Sequence, residues 1–95
     1  MNDTAVIADN VKPRLPRGVR LKHDDTRNEW LLLAPERVIK TDLIAVEILK
    51  RCDGVATLGE IVAGLSDQFK ADPGRIAADV RAMLGELAAK RMVDL

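Results

Sequence analysis

The sequence predicts an α+β domain with a winged helix-turn-helix-like arrangement: a three-stranded antiparallel N-terminal sheet followed by a three-helix bundle. Three observations carry this. Strand-like stretches separated by two turn-forming clusters run from Gly18 to Lys40, the first of them alternating polar and apolar residues and the second apolar on both faces. After Thr41 they give way to apolar stripes at helical spacing, each opened by a capping residue. Strands that precede helices, rather than alternating with them, define the α+β class. Ninety-five residues hold one such domain with a modest core.

From Gly18 to Asp24, Val19, Leu21 and His23 share one face, while Arg20, Lys22 and Asp24 share the other, as in a half-buried strand. The polar run from Asp24 to Asn28 closes a hairpin into Glu29–Leu33. In that second strand Trp30 and Leu32 point one way and Leu31 and Leu33 the other, the pattern of a central strand covered on both sides. Ala34-Pro35 turns the chain into a short third strand, Glu36–Lys40. Asp42 caps a helix running to about Cys52, and Asp53-Gly54 stops it. Thr57 and Glu60 form a capping box, followed by the stripe Leu58, Ile61, Val62, Leu65 and Phe69. Asp72-Pro73 opens the third helix, with the stripe Ile76, Val80, Met83, Leu84 and Leu87. Met92–Leu95 either adds a short strand or covers the core. Residues 1–13 show no clean period and read as a flexible tail or linker.

Composition narrows the function. Charges balance to zero, so the chain as a whole has no footprint for a phosphate backbone. Trp30 and Phe69 are the only aromatics, too few for a stacking platform on single-stranded nucleic acid. The single cysteine, Cys52, rules out an internal disulfide framework and fits a reducing cytosol; its place near a helix end reads as structural. His23 has no second histidine with which to build a metal site. Residues 1–13 lack the continuous apolar core of a signal peptide, and no apolar run approaches the roughly 20 residues that span a bilayer. The expected location is cytoplasmic. A Gly-rich phosphate loop, metal-ligand spacing and a nucleophile–base pair are all missing, so the expectation is a non-enzyme without cofactor or metal.

What remains is binding. A short third strand at the end of a small sheet is an edge, and its unpaired backbone groups can take up another chain. Peptide capture by strand addition follows from that edge. A DNA-binding winged-helix regulator is the alternative. Against it, Arg75, Arg81, Lys90 and Arg91 alternate with Asp79 and Glu86, so the third helix has no uniformly basic face. Self-pairing of the edge is a third possibility, leaving a monomer or weak homodimer.

Arg14-Leu15-Pro16-Arg17-Gly18-Val19-Arg20-Leu21, Trp30-Leu31-Leu32-Leu33-Ala34-Pro35-Glu36-Arg37 and Leu49-Lys50-Arg51-Cys52-Asp53-Gly54 together resemble the PqqD family of pyrroloquinoline quinone biosynthesis. The helical segment Thr57–Phe69 fits as well, and the resemblance covers residues 14–95. It implies a non-catalytic peptide chaperone. Such proteins bind a ribosomally made precursor peptide, PqqA, and present it to the radical S-adenosylmethionine enzyme PqqE, which joins a Glu and a Tyr of that peptide. Neither nucleic acid nor membrane is an implied partner. Members of the family can be joined to a neighbouring pathway protein, so residues 1–13 also read as a linker remnant. In related elements the leader peptide pairs with the third strand and lies against the third helix. On this chain that places the groove between Glu36–Lys40 and the face of Arg75–Leu87. The implied peptide-binding set is Glu36, Arg37, Val38, Ile39 and Lys40 on the strand, with Arg75, Ile76, Asp79, Val80 and Met83 on the helix.

Overall fold

The computed structural model describes residues 7–95. The elements run β1 (Arg20–Asp24), β2 (Glu29–Ala34), β3 (Arg37–Thr41), α1 (Leu43–Lys50), α2 (Leu58–Phe69) and α3 (Pro73–Ala89). The strands form an antiparallel meander in the order β1-β2-β3, with Leu21 opposite Leu32 and Leu32 opposite Ile39. Between β1 and β2, Asp24 Oδ1 accepts the amide of Thr26 at 3.1 Å, and Asn28 takes the left-handed conformation (φ 51°) that closes the loop. β1 starts two residues later than the alternation suggests. Gly18 sits at φ 88°, and the Val19 amide donates to Pro16 O at 3.0 Å, so the chain is still turning there.

Each helix begins where its cap dictates. Asp42 accepts the Ala45 amide at 2.7 Å, and Asp72 accepts the Arg75 amide at 3.0 Å ahead of Pro73. Thr57 and Glu60 satisfy each other's amides reciprocally, the full capping box. Past α1, Asp53 accepts the amides of Val55 and Ala56, which holds its carboxyl below the ordinary carboxylate range, and Gly54 turns at φ 78°. The Glu47 carboxylate is likewise held low, chiefly by Gln68 and then by Arg51 and Lys50. That cluster ties α1 to α2, with Arg51 donating to Gln68 at 2.6 Å.

The core lies between the helices and one face of the sheet. Leu32, Ile48, Leu49, Leu58, Ile61, Leu65, Val80, Leu84, Met92 and Val93 are all buried in it. Burying a side chain of this size contributes about 1.5–3 kcal/mol. The C-terminal segment covers this core: Met92 and Val93 are buried, and Arg14 and Asp94 exchange backbone hydrogen bonds at 2.9 and 2.8 Å.

Two expectations need correction. Residues 7–13, expected as a flexible tail or linker, pack as an arm against the helices. The amides of Gly54, Leu58 and Gly59 donate to the carbonyls of Pro13, Val11 and Asp9, and Ile7 and Pro13 are buried. Arg81 fixes the arm by donating to Ile7 O at 3.0 Å and pairing with Asp9. These contacts pair irregular backbone with helix N-termini, so they leave no periodic trace in the sequence. Residues 1–6 of the expected tail lie outside the described residues. The second correction concerns β2, which is covered on one face only. Leu32 is wholly buried, whereas Leu31 and Leu33 are half-buried on the opposite face, and neither packs against the core cluster. Trp30 sits on the Leu32 side at the sheet margin. It tilts against His23 (ring centroids 4.9 Å apart) and lies under the Lys50 ammonium at 5.2 Å.

Candidate functional site

Only Pro35 and Glu36 separate β2 from β3, so Ala34 and Arg37 can pair only by exchanging both backbone hydrogen bonds with each other. Alternation then directs the backbone of Ile39 and Thr41 toward β2. The N–H and C=O of Val38 and Lys40 point away from it. No further strand pairs with that outer edge among the described residues.

Beside this edge lies a cleft of about 470 Å³. Ile39, Lys40 and Thr41 of β3 form one wall, and Asp79, Met83, Glu86, Leu87 and Lys90 of α3 and its C-cap form another. Helix α1 and its cap close the third side through Asp42, Ile44, Ala45, Ile48 and Leu49. The floor is thus aliphatic with one thioether, and charges stand at the rim. Lys90 pairs with Glu86 at 3.3 Å and Lys40 with Glu29 at 3.6 Å, while Asp79 has no ion-pair partner among the described residues. Ile44 keeps 43% of its surface exposed at the mouth, and Leu43 beside it keeps 75%.

Of the residues the sequence nominates, this cleft gathers Ile39, Lys40, Asp79 and Met83. Val38 contributes outward backbone groups to the edge, while its side chain stands on the uncovered sheet face. Glu36 and Arg37 lie at the hairpin end, in a separate hollow with Pro16, Arg17 and Met92. Arg75 is exposed in the first turn of α3, outside the cleft, and Ile76 packs on the core. Val80 retains 1% of its surface and is a core residue, a correction to the nominated set. The reason is the helical phase. Val80 and Leu84 are buried in the core, so the stripe that reaches the cleft is displaced to Asp79, Met83, Glu86 and Lys90, with Leu87 shared between core and cleft. The contribution of α1 was missed altogether. Its signal was the apolar pair Leu43-Ile44 directly after the Asp42 cap, where a solvated helix start would carry polar groups.

Nucleophile chemistry has no foothold at Cys52. Its thiol is buried, donates to Ile48 O at 3.3 Å, and is pushed up to about 12 by burial and then by the nearby Asp53 charge. Among the described residues no cluster of His, Cys, Asp or Glu could hold a metal ion. No helix among them is long and apolar enough to cross a membrane.

A meander with an open third strand, set against a helix-walled aliphatic cleft, defines a small winged helix-turn-helix-like domain of the strand-presenting kind. The chain belongs to the PqqD family, whose model, described as Coenzyme PQQ synthesis protein D, matches residues 29–93. Among curated relatives, a "PqqA binding protein" of Rhodopseudomonas palustris is 49% identical over 84 residues, covering 88% of this chain and 82% of that one. The Bifunctional coenzyme PQQ synthesis protein C/D of Methylorubrum extorquens is also 49% identical, over 82 residues that make up 86% of this chain and 22% of the relative. Among solved structures, the fold matches the solution NMR structure of the PqqD truncation of Methylobacterium extorquens PqqCD. The TM-score is 0.83 at 43% identity, covering 98% of this chain and 99% of that one. That protein is described as a functional, stand-alone recognition element for ribosomally synthesized and post-translationally modified peptides. The crystal structure of PqqD from Xanthomonas campestris matches with TM-score 0.60 at 41% identity, covering 95% of this chain and all of the other.

Proposed function

We propose that this chain is a non-catalytic peptide chaperone of pyrroloquinoline quinone biosynthesis. It binds the precursor peptide PqqA as a fourth strand on β3 and presents it to the radical S-adenosylmethionine enzyme PqqE. The observation that carries the reading is the coincidence of an open strand edge and an aliphatic cleft on one strand: β3 has no partner on its outer side, and its Ile39, Lys40 and Thr41 line the cleft. The outward N–H and C=O groups of Val38 and Lys40 supply sequence-independent pairing, each bond worth about 0.5–1.5 kcal/mol net. Specificity then falls to the peptide side chains that enter the cleft between Ile39, Ile44 and Met83, where the flexible thioether adapts to their shape. The unpaired Asp79 on the cleft-facing stripe of α3, and the absence of a uniformly basic face on that helix, disfavour a phosphate backbone there and weigh against the DNA-binding alternative. The names of the relatives support the choice of peptide.

Calorimetric titration with synthetic PqqA tests the reading. Saturable one-to-one binding, with the peptide recovered chemically unchanged, is expected. Absence of binding by the folded protein, or conversion of the peptide by this chain alone, would refute it.

A further inference from the structure

The face of the sheet turned away from the helices carries a pattern that peptide capture does not use. Register places Arg20, Leu33 and Val38 side by side on it, and Lys22, Leu31 and Lys40 in the next row. The centre is therefore aliphatic and the flanks are cationic. Val38 keeps 64% of its surface exposed, and Leu31 and Leu33 pack against no part of the core. At one end a hollow of about 550 Å³ opens beside Leu33, between Gly18 and Pro35. Three aliphatic side chains on an uncovered sheet face, with an open hollow beside them, mark a protein contact rather than a solvated surface.

Charge selects the occupant. Arg20 and Lys22 are exposed and have no ion-pair partner among the described residues. The carboxylates on the same face are already engaged, Asp24 by the amides of its own turn and Glu29 by Lys40. A second copy of this chain would set Arg20 and Lys22 against the same two unpaired cations, with Asp24, held by the amides of its own turn, as the one carboxylate on the face without a cationic partner. A partner with acidic groups around an apolar contact supplies what is missing.

We propose that this outer sheet face is a second docking surface, separate from the peptide cleft, for a protein partner with an acid-rimmed apolar patch. Because β3 belongs to both surfaces, a partner seated here lies next to a peptide held on the edge of that strand. Resting on the function proposed above, the assignment of that partner is the peptide-modifying enzyme.

The test is binding of PqqE and of PqqA, measured separately by interferometry and calorimetry, to the wild type, to Arg20→Glu/Lys22→Glu and to the milder Arg20→Gln/Lys22→Gln. The expected result is a loss of tenfold or more in PqqE affinity for the reversal variant and a smaller loss for the Gln variant. PqqA affinity should stay within twofold for both, and wild-type affinity for PqqE should fall as salt rises. If wild-type protein binds PqqE but both variants bind it equally well, this docking surface is wrong while the chaperone reading stands. If wild-type protein binds PqqA but not PqqE, presentation to that enzyme fails, and this assignment fails with it. Loss of PqqA binding alone would hand the face to the peptide, and concentration-dependent dimers broken by the reversal would hand it to a second copy; either overturns the proposal.

Discussion

Val38→Pro separates the backbone edge from everything else in the site. The Val38 amide points away from β2, so proline there leaves the β2–β3 ladder intact. The side chain lost is already 64% exposed, so little packing goes with it. One donor to an incoming strand disappears. At about 0.5–1.5 kcal/mol net for such a bond, PqqA affinity should fall roughly two- to tenfold, with more if the ring crowds the added strand. Ile39→Pro is the internal contrast. Its amide serves Leu32, and removing it leaves a carbonyl in the sheet unsatisfied at a cost of about 1–3 kcal/mol, besides the packing of a half-buried side chain. Calorimetry with PqqA and urea melts of both variants give the two readouts. The edge model requires Val38→Pro to be near wild type in stability and weakened in binding, and Ile39→Pro to be weakened in both. Unchanged PqqA affinity in a folded Val38→Pro protein refutes docking on β3.

Three further outcomes are expected. Ile44→Ser, at the mouth of the cleft on α1, should lower PqqA affinity several-fold while changing stability by no more than about 0.5 kcal/mol in urea, because the side chain is 43% exposed in the free protein. Arg81→Ala removes the hydrogen bond to Ile7 O and the pair with Asp9; it should release the 7–13 arm to limited proteolysis and destabilise by roughly 1–3 kcal/mol, as for hydrogen bonds to charged groups. The Cys52 thiol lies above its ordinary value of 9.0, at about 12, so the folded state holds its proton more tightly than the unfolded one. Its contribution is therefore complete below pH 9 and is lost as pH rises from 9 toward 12; alkylation at pH 8 should proceed only as fast as the chain opens, and rapid stoichiometric labelling of folded protein would contradict the burial.

Where local chemistry decides an element, the sequence was legible. Asp42, Thr57 with Glu60, and Asp72-Pro73 each start a helix where a cap is expected, and the turns expected at Asp24–Asn28 and Ala34-Pro35 give the meander. The second turn lies one residue on, at Pro35-Glu36, so that β3 runs Arg37–Thr41 rather than Glu36–Lys40. Tertiary contacts without a period were not legible. The 7–13 arm is held by carbonyls and by Arg81, whose partner lies more than seventy positions away. On α3 the apolar stripe is visible in the sequence, but which margin of it meets the cleft depends on how the helix rolls against α1 and α2. That roll buries Val80 and delivers Asp79 and Met83. Likewise, three consecutive leucines at 31–33 read as a strand covered on both faces, because an apolar run does not reveal that the helices cover only the Leu32 side.

The central claim is that the edge of β3 and the cleft beside it hold the precursor peptide. Backbone amide shifts of isotopically labelled protein during titration with PqqA test it most directly. The account predicts saturable changes concentrated on Val38–Thr41, on Asp79, Met83 and Leu87 of α3 and on Ile44 and Ala45 of α1, with slowed amide exchange at Val38 and Lys40. Saturable changes confined to β1, or to the far ends of α2 and α3, would contradict it.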